Sequence, residues 1–135
     1  MHPKIWGSHA WVFIHSIGYS YPDNPSPIER TAIENFLKSL QHILPCKTCS
    51  ALYKKDIPKL SLQITQASEN KSNLIKWINE MHNKVNKNLN KKEFTDKEFD
   101  LYYNNSNKLN NSSNMKKILF IIFIIIVLIL FYIFI

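Results

Sequence analysis

The stretch HILPCKTCSALY, from His42 to Tyr53, holds both cysteines of the chain, Cys46 and Cys49. How this stretch is read decides the fold. Pro45 breaks whatever helix precedes it, so Cys46 falls at or near the start of a new helix. A thioredoxin-like fold would instead set a Cys-x-x-Cys after a strand of a βαβ unit. No segment before Pro45 reads as a strand, so the motif stands between two helices and the expected class is all-α.

Working outward, the apolar spacing predicts five helices. Ser8 can cap a first helix running to about Tyr19, with Trp11, Ile14, His15 and Gly18 on one face. The stretch from Tyr21 to Pro27, YPDNPSP, is a stiff turn. Ser26, Pro27 and Glu29 then form a capping box for a second helix. Its buried stripe is Ile33, Phe36, Leu37, Leu40 and Leu44. The third helix starts at the cysteines and stops before Pro58. Residues 61–72 are polar and read as partly loop. A fourth helix carries Leu74, Ile78, Met81, His82, Val85 and Leu89 on one face. Thr95 and Glu98 suggest a second capping box, opening a short fifth helix to about Tyr103. The expectation is a four-helix bundle plus a short fifth helix, over residues 1–103.

Residues 104–117 are polar and low in complexity, and read as a flexible linker. Residues 118–135 are all apolar or aromatic, with Lys116 and Lys117 at their edge. Such a run, lacking a polar face, predicts a transmembrane anchor close to the length of about twenty residues that spans a bilayer. No N-terminal apolar segment reads as a signal peptide. The chain is therefore expected to be a single-pass, tail-anchored protein with its domain on the cytosolic side. The net charge of +7 comes almost wholly from lysine, with Arg30 alone. Nucleic-acid readers rely on arginine for base edges, so no nucleic-acid partner is expected.

Two thiols are too few for a disulfide scaffold and half of a usual zinc site. Backbone N–H groups at a helix N-terminus favour a thiolate, so a redox-active pair is the better reading. Zinc would need two of His2, His9, His15, His42 and His82, and no pair has finger spacing; no metal site is expected. A purely structural disulfide would close too small a loop to add much stability. A redox pair needs an electron acceptor, and a flavin supplies that chemistry. With only Gly7 and Gly18, the chain lacks a glycine-rich dinucleotide loop. A dinucleotide would have to be held by side chains. Trp11 with His15, and His82 with Asn83, Val85 and Asn86, are candidates; each alone reads as well as core packing.

The chain resembles the FAD-linked sulfhydryl oxidases of the Erv/ALR family, the smaller viral members most. WGSHAWVFIH, YPDNPSP, PCKTC, WINEMHNKVN and KKEF carry the resemblance, between about Trp6 and Phe94. It implies a helical bundle holding FAD, with contacts from Gly7, Trp11, His15, His82, Asn83, Val85, Asn86, Lys91 and Phe94. Trp77 matches a family position too, as packing or contact. Tyr102 or Tyr103 would close the site. The implied chemistry divides the catalytic cysteines: a substrate thiolate attacks Cys46, and Cys49 passes electrons to the flavin. Oxygen receives them and gives hydrogen peroxide. The implied partners are a dithiol protein substrate or shuttle and a second copy of the chain, paired through the first helices. A second, shuttle cysteine pair is missing, and Ser20 stands where a second aromatic is common. The membrane implied by the viral analogy is that of a host or virion. The rivals are a membrane-tethered helical adaptor with a zinc-binding or structural Cys-x-x-Cys, and a dithiol isomerase or carrier without flavin.

Overall fold

The computed structural model describes residues 1–104 and 118–126. Among these residues there are helices and no strand. The helices are α1 (Pro3–Ser20), α2 (Pro27–Ile43), α3 (Lys47–Asp56), α4 (Ile64–Ala67), α5 (Lys71–Asn88) and α6 (Asp96–Phe99). A 3₁₀ turn (Ile57–Lys59) follows α3, and a π-helical turn (Asp100–Asn104) continues α6. The four long helices and the short fifth of the sequence reading are α1, α2, α3, α5 and α6.

Local chemistry explains most of the ends. The capping boxes at Ser26 with Glu29 and at Thr95 with Glu98 both form. Helix α5 ends with Lys91 N–H donating to the Asn86 carbonyl at 2.8 Å and Asn90 N–H to that of Lys87 at 3.1 Å. Asn90 between them has φ 52°, the left-handed geometry asparagine tolerates at a helix end. Two expectations need correction. Helix α1 begins at Pro3, not after Ser8, because Pro3 suits a first turn and the His2 ring accepts from Lys4 N–H at 3.2 Å. Leu89 is exposed rather than on the buried stripe, because it is the cap residue where α5 ends. The segment 61–72 also holds one helical turn, α4, which buries Ile64 and Ala67.

The core lies where α1 and α2 meet α5 and α3. Leu37, Leu74, Trp77, Ile78 and Met81 are essentially inaccessible there. Gly18 lets α1 approach α5 closely: a Cβ at that position would stand 2.9 Å from Ile78 Cδ1. Tyr53 ties α3 to α2 by donating to the Leu37 carbonyl at 2.9 Å. Asp56 ties α3 to α5, accepting from Lys59 Nζ and Asn88 Nδ2, both at 2.9 Å. Burial alone would raise its carboxyl, but these two donors outweigh burial and hold it below the usual carboxylate range.

Among the described residues no helix is long and apolar enough to cross a membrane. Residues 118–126 are helical with every side chain exposed. That piece spans about 14 Å, less than half of a bilayer's hydrocarbon core. Residues 127–135 of the expected anchor and 105–117 of the expected linker lie outside the described residues.

Candidate functional site

Cys46 and Cys49 are joined as a disulfide, their Cα atoms 5.2 Å apart. Cys46 is the N-cap of α3, and its sulfur accepts the Cys49 backbone N–H at 3.2 Å. Thr48 Oγ1 lies 3.8 Å from the same sulfur. The break at Pro45 thus does what its sequence position requires. It leaves extended backbone at Cys46 and aims the free N–H groups of a new helix at sulfur.

A second group of residues gathers where α1 and α5 meet the end of the domain. His15 Nε2 and His82 Nδ1 are 3.0 Å apart in the buried seam. The Trp11 ring stacks on His82, with centroids 3.9 Å apart and planes 4° from parallel. The Tyr103 ring stacks on His15 at 3.8 Å and 6°. Burial, then the neighbouring His82, pushes His15 down to about 3. Burial, then the charge of Lys91, pushes His82 down to about 4. Both imidazoles are therefore neutral at neutral pH, and one donates its N–H to the other's lone pair.

The remaining expected residues are spread over α1, α5 and the segment that follows α5. Asn86 is buried, and its Nδ2 has no hydrogen-bond partner among the described residues. Asn83 clasps the backbone of Phe94: its Nδ2 donates to the Phe94 carbonyl at 2.7 Å, and Phe94 N–H donates to its Oδ1 at 2.9 Å. Val85 is half-buried on α5. Gly7 is half-buried on α1, and a Cβ there would meet nothing within 4 Å. Trp77 is packed in the core, edge-on to Tyr53. The sequence reading missed Phe99, which is wholly buried and lies 5.1 Å from the His15 ring and 5.2 Å from that of His82. Its signal was the pair of phenylalanines around the Thr95–Glu98 capping box, Phe94 before the cap and Phe99 at the fourth helical position, whose rings meet at 5.4 Å. Among the described residues no three His, Cys, Asp or Glu side chains are grouped as metal ligands.

An all-helical domain with a disulfide capping one helix, and a buried imidazole pair between flat rings, defines a class of redox domain. The chain belongs to the Erv1/Alr family, whose model matches residues 8–104. It is 35% identical over 88 residues to the mitochondrial FAD-linked sulfhydryl oxidase ERV1 of Saccharomyces cerevisiae, covering 65% of this chain and 44% of that protein. It is 33% identical over 95 residues to the "Probable FAD-linked sulfhydryl oxidase R368" of Acanthamoeba polyphaga mimivirus, covering 70% of this chain and 66% of that one. The chain thus spans less than two thirds of the length of either relative. The crystal structure of the yeast Erv1 core superposes with a TM-score of 0.68 at 29% identity, covering 76% of this chain and 84% of that chain. That of the FAD-binding domain of yeast Erv1 gives 0.67 at 31% identity, covering 76% and 94%.

Proposed function

We propose that this chain is an FAD-dependent thiol oxidase that forms disulfides in partner proteins. The observation that carries the reading is the Cys46–Cys49 disulfide at the N-terminus of α3, in a domain built like those of FAD-linked sulfhydryl oxidases. The residues fit a flavin dinucleotide. Trp11 and Tyr103, both half-buried, supply flat ring surface, backed by the neutral imidazoles of His15 and His82 and by the buried Phe99. Asn86 Nδ2 is a buried donor that lacks an acceptor, and a flavin or adenine ring offers several. Lys91, close enough to His82 to affect its titration, supplies a cation for a pyrophosphate.

The disulfide itself oxidises the substrate. A substrate thiolate attacks Cys46 Sγ; a bond forms between them, the Cys46–Cys49 bond breaks, and Cys49 keeps the electron pair. A second substrate thiolate attacks the substrate sulfur, and Cys46 leaves as thiolate. The helix N-terminus favours that leaving group. A flavin bound there would supply a two-electron acceptor for the Cys46–Cys49 dithiol, with oxygen as the final acceptor and hydrogen peroxide as the product. His15 and His82 hold each other's rings in place without adding charge.

The apolar run from Ile118, with residues 118–126 helical and exposed, supports a membrane anchor at a host or virion membrane. Lys116 and Lys117 favour a cytosolic domain. Ile5, Val12 and Phe13, exposed on α1, support a homodimer through that helix.

A visible spectrum of the purified protein tests the main reading. A flavin band near roughly 450 nm, bleached by dithiothreitol and restored by air, is the expected result. A colourless, folded protein would end the oxidase reading.

A further inference from the structure

Helix α3, which Cys46 heads as N-cap, has one buried side and one exposed side. Tyr53 and Asp56 turn inward and are buried, while Lys47, Leu52, Lys54 and Lys55 are exposed. Lys54 and Lys55 sit in the last turn, where the helix dipole favours cations. Lys47 does not: it is the first residue of α3, at the positive end of the dipole, with no acidic residue in that turn. Lys47 is thus a cation set against the local field, next to Cys46 in the chain. Among the described residues none of these three lysines has an ion-pair partner. Asp56, the one acid on α3, is hydrogen-bonded by Lys59 and Asn88 and also feels the charge of Lys55.

We propose that this face docks a protein or peptide dithiol whose reactive cysteine is flanked by carboxylates. This names the substrate class for the oxidase reading above and rests on it. Lys47 and Lys54 are seven residues apart, about 10.5 Å along the helix axis. An extended peptide rises about 3.3 Å per residue. With its cysteine at Cys46, such a peptide brings an adjacent acid to Lys47, and an acid about three residues further to Lys54 or Lys55. The lysines also concentrate the thiolate, the attacking form, near the disulfide.

The test uses the full chain and two synthetic peptides with the same cysteine pair, bearing glutamate or lysine at those positions. The quantity read is the anaerobic rate constant for reduction of the Cys46–Cys49 disulfide by each peptide, which needs neither flavin nor oxygen. At low salt the acidic peptide is expected to react about tenfold faster, a steering effect. The ratio should shrink toward one near about 0.5 M salt, where screening is short-ranged. Lys47→Glu/Lys54→Glu/Lys55→Glu should invert the preference, and the matching triple glutamine variant should erase it. Equal rates at low salt, or an unchanged ratio in both variants, would overturn the proposal. Absence of air-driven dithiothreitol oxidation would count against the oxidase reading alone, because the exchange rates remain measurable.

Discussion

His15 Nε2 and His82 Nδ1 lie 3.0 Å apart across the α1–α5 seam, although 67 residues separate them in the chain. Each ring stacks on another aromatic, Tyr103 on His15 and Trp11 on His82. The pair joins the two helices that carry most of the expected cofactor contacts.

Stability should fall on mild acidification. The folded values, about 3 for His15 and about 4 for His82, lie below the ordinary 6.5. Below that ordinary value the unfolded chain binds more protons than the folded one, so stability is lost as the pH falls. Each imidazole contributes up to about 1.4 kcal/mol per pH unit between pH 6.5 and the folded values. Urea unfolding at pH 7 and pH 5 should show this loss, and a His15→Asn/His82→Asn protein should flatten it. Equal slopes in both proteins would mean the pair is not held neutral.

His82→Ala removes the ring under Trp11 and the partner of His15. Purified His82→Ala is expected to retain at least about tenfold less flavin than wild type, a loss of about 1.4 kcal/mol in binding. Absorbance per mole of protein checks this, with helical circular dichroism as the control for folding.

Cys49→Ser leaves Cys46 without its partner sulfur. Thiol oxidation should stop while the flavin band stays, because the ring cluster around His15 and His82 contains no cysteine. Oxygen uptake with dithiothreitol as donor is the assay. Uptake at the wild-type rate would remove the disulfide from the mechanism.

Gly18 separates two sizes of substitution. Its Cβ would meet Ile78 Cδ1 at 2.9 Å, the far end of a side chain that can turn aside. Alanine also gains about 0.5–1 kcal/mol of helix propensity over glycine, so Gly18→Ala should be near neutral. Gly18→Val adds branches that α5 cannot yield to, and should cost about 1–3 kcal/mol. Denaturant midpoints of the two variants distinguish them.

Much of this protein is local and was therefore legible in its sequence. The cap of Ser26 with Glu29, the break at Pro45 and the single turn from Cys46 to Cys49 each involve groups within four residues of one another. Backbone geometry alone brings such groups together, so residue type and spacing suffice. The buried faces of α2 and α5 follow from helical period in the same way. The failures are local too: Ser8 looks like a cap, but Pro3 and His2 start α1 a turn and a half earlier. The extra turn α4 carries few apolar residues, and its helical form comes with packing against α5.

Sequence alone determined that a disulfide-forming pair heads a helix in an all-α domain, since every interaction needed for that is within one turn. Only the tertiary structure decided which rings meet. Nothing in the spacing says that Trp11 stacks on His82, that Phe99 and Tyr103 return to His15, or that Asn83 clasps Phe94. Those contacts join segments distant in the chain. They arise because burying the α1 and α5 stripes together leaves one seam, and the turn after α6 covers it.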